Sequence, residues 1–101
     1  MPDEVIQRSL HVVNPQGMHA RPAALIVTLA NKFQSEIQLI NGDVKVDAKS
    51  VLHLMTLAAA QGTTLLLEAR GSDAASAADA IEKLFKEGLG DLDALPNTAA
   101  P

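Results

Sequence analysis

The chain has 101 residues, 48% of them apolar and 20% charged, which suffices for one globular domain and leaves no room for a second core. Twelve acidic residues against eight basic ones give a net charge of −4, the wrong sign for a protein that grips a polyphosphate backbone. Two phenylalanines are the only aromatics, which excludes a stacking platform for single-stranded nucleic acid. The absence of cysteine excludes disulfide scaffolds, zinc–thiolate sites and thiol catalysis.

Met1-Pro2-Asp3-Glu4 carries no basic stretch leading into a long apolar run, so no signal peptide is expected. No apolar run approaches about 18 residues, so no membrane insertion is expected and the chain reads as cytoplasmic. Residues 5–13 roughly alternate, with Ile6, Leu10 and Val12 on one face and Gln7, Ser9 and His11 on the other. That is a strand with one side on a core and one side wet. Asn14-Pro15-Gln16-Gly17 is a loop by composition.

From residue 20 to about 32 the period changes: Ala23, Ile26, Val27 and Ala30 stand at i, i+3, i+4 and i+7, the inward stripe of a helix. Residues 36–40 and 44–47 are short extended segments flanking Asn41-Gly42-Asp43, the strongest hairpin signal in the chain. Lys49-Ser50 opens a short helix over 51–57, with Leu54 and Leu57 facing inward. Residues 63–69, bounded by Gly62 and Gly71, form a strand. Ser72-Asp73 caps a last helix whose inward stripe is Ala77, Ala78, Ile81, Leu84 and Phe85, ended by Gly88 and Gly90. The order β-α-β-β-α-β-α with an antiparallel hairpin makes the class α+β, one sheet with helices covering a single face.

Three histidines are the side chains that titrate near neutrality without help. His11 alternates onto the wet face of a strand with no evident partner, and His53 reads as a solvated helix position. His11, His19 and His53 share no short ligand spacing, so no metal site is expected. His19 stands between the Pro15-Gln16-Gly17 loop and the start of a helix. Neither His19 nor Ala20 is a good cap, and Pro22 fits a first turn because its missing N–H would have been unsatisfied there anyway. The unfilled amides and the positive end of the helix favour an external anion, and the planar fork of Arg21 matches phosphate oxygens. A neutral imidazole beside these groups suggests phosphoryl transfer through a phosphohistidine. An ordinary surface histidine, merely flanked by Gly17 and Pro22, is the alternative that spacing alone leaves open. No G-x-x-x-x-G-K-[ST] loop or other Gly-rich fingerprint is present, so no nucleotide cofactor is expected. The phosphoryl group would then arrive from one protein and leave to another.

The stretch Gly17-Met18-His19-Ala20-Arg21-Pro22-Ala23-Ala24 closely resembles the phosphorylation-site motif of the HPr family, the histidine-containing phosphocarriers of the bacterial sugar phosphotransferase system. Phe33-Gln34-Ser35-Glu36-Ile37, Lys49-Ser50-Val51-Leu52, Leu57 with Gln61-Gly62, and Glu87-Gly88-Leu89-Gly90 also match. The resemblance covers about residues 5 to 91. It implies an open-faced β-sandwich, a four-stranded antiparallel sheet with three helices on one side, as one domain over 1–91 followed by a flexible tail over 92–101. It implies a carrier rather than an enzyme. His19 would accept phosphate on Nδ1 from phosphorylated Enzyme I and pass it to a histidine of an Enzyme IIA domain. Arg21 would orient the phosphoryl oxygens, with the backbone amides of Ala20 and Arg21 contributing.

By the same resemblance Ser50 matches a regulatory serine, the target of an HPr kinase/phosphorylase, although a plain helix cap is an equal reading of that residue. Ala24, Thr28, Val51, Leu52 and Met55, left outside the inward stripes, would form the partner surface of an expected monomer, an apolar patch such as transient docking needs. His53 departs from the Gly or Lys often found three positions after the serine, and the Ala/Pro-rich end departs from compact relatives. A nitrogen-type carrier and a Ser50-switched binding module are the alternatives.

Overall fold

The computed structural model describes residues 5–90; the expected domain boundary at 91 and tail over 92–101 lie outside the described residues, as do residues 1–4. Seven elements follow the order read from the sequence: β1 (Val5–His11), α1 (Ala20–Ala30), β2 (Glu36–Asn41), β3 (Val44–Asp47), α2 (Val51–Met55), β4 (Thr64–Arg70) and α3 (Ala74–Lys86). The strands form one antiparallel sheet in the order β1-β4-β2-β3. The β2–β3 hairpin turns through Gly42-Asp43 between paired Asn41 and Val44, and Gly42 takes a φ of +60°, as the first position of a type II′ turn requires.

Period-2 alternation sorts each strand onto two faces. Rows of directly opposed residues, Leu10–Leu65, Leu67–Leu39–Val46 and Ala69–Ile37, are buried beneath the helices. The opposite face carries Gln7–Glu68–Gln38–Asp47 and His11–Thr64, so the sheet is open to water on one side. Gln7 Nε2 donates to Glu68 across that face at 2.9 Å. The helices bury narrow stripes against the sheet: Pro22, Ala23, Ile26 and Ala30 of α1, Leu54 of α2, and Ala74, Ala77, Ala78, Ile81 and Phe85 of α3. The alanines let α3 approach the strands closely, and the large side chains Phe85, Ile26, Ile37 and Leu67 fill the space between layers. The α+β architecture expected from the sequence is the one observed.

Three local expectations are corrected. Asp73 precedes α3 but makes no side-chain cap bond. Its carboxylate instead accepts from the backbone N–H groups of Gln34 and Ser35, each at 2.9 Å, and from the Ser35 hydroxyl. These bonds, the Ser35 hydroxyl foremost, hold the Asp73 carboxyl below its ordinary range. The helix thus gives up a cap so that the α1–β2 loop is pinned to its start. Second, α2 is shorter than residues 51–57: Thr56 turns its hydroxyl back to the His53 carbonyl at 2.6 Å and closes the helix, while Leu57 stays buried in the following turn. Third, His11 has a partner, its Nδ1 lying 3.2 Å from Oγ1 of Thr64, the residue directly opposite on β4.

Arg8 occupies an inward position of β1 opposite buried Leu67. Its Nη1 reaches Asp79 at 2.8 Å and Glu82 at 3.0 Å on α3. A charged head at the edge of the layer, with its stem over the core, ties strand to helix. The Asp79 hydrogen bond raises the guanidinium's affinity for its proton further.

Candidate functional site

The loop from residue 14 to 19 is built to deliver a side chain to the start of α1. Asn14 is wholly buried, its backbone carbonyl accepting from Gly17 N–H at 3.0 Å and its side-chain Nδ2 donating to the Gly17 carbonyl at 2.5 Å. Gly17 has a φ of +67°, and a Cβ there would stand 2.5 Å from the Ala59 carbonyl oxygen and 2.9 Å from Ala60 Cα. Only glycine lets the backbone pass this close in this conformation. Met18 N–H then donates to the Ala59 carbonyl at 2.7 Å, and Gln61 Nε2 donates to the Val13 carbonyl at 3.2 Å. The loop leading into α1 is therefore strapped to the loop leading into β4.

His19 follows as the N-cap residue of α1, in extended conformation (φ −134°, ψ −172°), and its carbonyl accepts the first helical bond from Ala23 N–H at 3.0 Å. Its side chain makes no cap bond, and the first turn carries no acidic residue. Pro22 completes that turn without an N–H of its own. The helix end consequently keeps its partial positive charge and offers amide donors that have no acceptor inside the helix. The His19 ring is half-buried, with Nε2 excluded from solvent and without a hydrogen-bond partner. Nε2 is thus closed to a group arriving from solvent. Ala20 and Arg21 are exposed on the same first turn.

Ser50 is the N-cap of α2, its Oγ accepting from His53 N–H at 3.2 Å, so the capping reading of this serine holds in the structure. The helix surfaces left over by packing carry the expected exposed residues. Ala20, Ala24 and Thr28 line one exposed face of α1, with Leu25 beside them. On α2, Val51, Leu52 and Met55 are exposed, and Leu52 is 79% accessible, far more than an aliphatic side chain in a folded domain needs to be. His11 and His53 lie on β1 and α2, both exposed. Among the described residues no group of three His, Cys, Asp or Glu side chains stands close enough to hold a metal ion. Asn14, the buried amide behind the histidine loop, escaped the sequence reading because loop composition says nothing about burial.

Similarity to known proteins identifies the family. A family model, the phosphotransferase-system HPr component phosphorylation site, matches residues 6–87. The chain is similar to the phosphocarrier protein HPr of Treponema pallidum, 43% identical over 82 residues that cover 81% of this chain and 93% of the relative. It is 36% identical to that of Neisseria meningitidis over 87 residues, 86% of this chain and 98% of the relative. Among solved structures it resembles an HPr from Thermoanaerobacter tengcongensis with a TM-score of 0.81 and 37% identity, covering 85% of this chain and 97% of that one. No helix among the described residues is long and apolar enough to cross a membrane. The chain belongs to the HPr family, the phosphocarrier proteins of the phosphotransferase system.

Proposed function

We propose that His19 is the residue that carries the phosphoryl group, accepting it on Nδ1 from phosphorylated Enzyme I and passing it to a histidine of an Enzyme IIA domain. The observation that carries this reading is the imidazole at the uncapped start of α1 with Nε2 closed off from solvent. Attack by the Nδ1 lone pair forms an N–P bond as the donor's bond to phosphorus breaks. The group then rests at the positive end of a helix, where an anion is favoured by about 0.3–1 kcal/mol. Arg21 orients the phosphoryl oxygens and the Ala20 and Arg21 amides donate to them, a cradle modest enough to let the group leave again.

The docking surface in this reading is the exposed strip of Ala24, Thr28, Val51, Leu52 and Met55. A shuttle needs rapid release, so a small apolar face suits it better than an extensive interface. The carrier works as a cytoplasmic monomer, because the same face has to meet successive partners. Phosphorylation of Ser50 by an HPr kinase/phosphorylase would set about −1.5 to −2 charges beside Val51 and Leu52, at a helix start that tolerates the charge while the apolar docking face does not. The test is incubation with Enzyme I and phosphoenolpyruvate. One acid-labile phosphate per chain is expected, retained in His11→Ala and His53→Ala and lost in His19→Ala. Label that survives His19→Ala refutes the assignment. Presenting sugar-type or nitrogen-type IIA domains to the charged carrier then identifies its branch.

A further inference from the structure

Two buried side-chain polar atoms among the described residues lack a hydrogen-bond partner, Oδ1 of Asn14 and Nε2 of His19, and both belong to the loop that presents the histidine. They are chemically complementary. The Asn14 carboxamide cannot turn over, because its Nδ2 is committed to the Gly17 carbonyl at 2.5 Å; what remains is Oδ1, an atom that only accepts. A neutral imidazole carries its proton on one nitrogen and a lone pair on the other, and Nε2 becomes a donor in one of the two tautomers. A polar atom left alone in a solvent-free position is costly, and pairing the two removes both penalties.

We infer that Asn14 is a positioning residue for phosphoryl transfer: its Oδ1 accepts the Nε2–H of His19, directly or across one bridging water. This holds the ring in the tautomer whose lone pair is on Nδ1. The opposite tautomer would put the lone pair on Nε2, in the interior, where no phosphoryl donor reaches it. The proton accounting is simple. Nδ1 attacks, the N–P bond forms, and the ring becomes a phosphoimidazolium that keeps its Nε2–H on Asn14. In onward transfer the N–P bond breaks, its electron pair returns to Nδ1, and the neutral ring is restored without any proton leaving the loop. Keeping that proton also makes the ring the better leaving group.

The inference rests on His19 as acceptor, so the experiment reads the ring before any phosphate is added. Nitrogen-15 NMR of histidine-labelled, unphosphorylated protein above the ordinary histidine titration range reports the tautomer of each ring. His19 is expected almost wholly as Nε2–H, while exposed His53 serves as the internal reference. Asn14→Ala should convert His19 to a mixture of tautomers and slow its phosphorylation about tenfold, the scale on which removing the partner of a working histidine acts. Asn14→Asp, which keeps an acceptor, should restore the single tautomer. A residue that only braced the loop would lower stability in Asn14→Ala and leave the tautomer alone, which overturns the inference. So does an Nδ1–H or mixed His19 in the unmodified protein, a result available even if Asn14→Ala fails to fold. Loss of carrier activity with the Nε2–H tautomer intact would count against the acceptor assignment instead.

Discussion

Replacing Gly17 by alanine isolates the close contact that aims the histidine loop, and Gly42→Ala supplies the control. Both glycines take a positive φ, +67° and +60°, a range that L side chains rarely adopt, so each substitution incurs backbone strain of about 1–2 kcal/mol. Reduced freedom of the unfolded chain offsets about 0.4–1 kcal/mol of that. Around Gly42 a new Cβ meets nothing within 4 Å, so the net cost there should be about 1 kcal/mol. At Gly17 the same atom would stand 2.5 Å from the Ala59 carbonyl oxygen and 2.9 Å from Ala60 Cα, both main-chain atoms that no side-chain rotation can clear. The segment has to move. That displaces the Met18–Ala59 hydrogen bond, worth about 1 kcal/mol, and adds about 1–3 kcal/mol of packing strain. Gly17→Ala should therefore cost at least about 2 kcal/mol more than Gly42→Ala. In a domain of this size that corresponds to about 10 °C or more of melting temperature. With neither tryptophan nor tyrosine present, urea and thermal unfolding are followed by far-ultraviolet circular dichroism. Equal stabilities of the two variants, within about 0.5 kcal/mol, would refute the argument that the two loops are held at contact distance.

The other outcomes are narrower. Asp73 holds three donors and its carboxyl is depressed in the folded state, so the stability it contributes is present above the unfolded value near 3.9 and drains away as pH falls through the lower folded value. Asp73→Asn should be less stable at neutral pH and show a shallower loss in that acid window; an unchanged acid profile contradicts the clamp. Ser50→Ala should lose about 0.5–1 kcal/mol of stability with the long 3.2 Å cap bond, whereas Ser50→Asp keeps a capping oxygen and its stability while weakening docking. A Ser50→Asp variant that exchanges phosphate at the unmodified rate argues against charge regulation there. Leu52→Asp should leave the melting temperature nearly unchanged, since the side chain is 79% accessible, and raise the KM for phosphorylation by Enzyme I several-fold. An unaltered KM removes Leu52 from the docking face.

Much of this molecule is legible in its residues because alternation and helical periodicity agree with local punctuation. The inward face of β1, the Gly42 turn and the stripes of α1 and α3 all follow from spacing. His19 stood out because the start of its helix lacks a cap. What escaped was decided by contacts distant in sequence. Arg8 falls on the buried face by parity but is charged; its inward position is tolerated through Asp79 and Glu82, 71 and 74 residues away. Asp73 has the right chemistry for a cap, yet Gln34 and Ser35 of the loop ahead of β2 compete for it and win. His11 acquires Thr64 from a strand register that no local pattern specifies. Asn14 carries the composition of an exposed loop, and only its folding under Gly17 makes it a buried amide.

Nitrogen–phosphorus correlation in the phosphorylated, histidine-labelled protein addresses the main assignment most directly. After charging with Enzyme I and phosphoenolpyruvate, a single phosphorus coupled to Nδ1 of His19 is the result this account predicts. Phosphorus on Nε2 of that ring, on His11 or His53, or on an oxygen of Ser50 would contradict it.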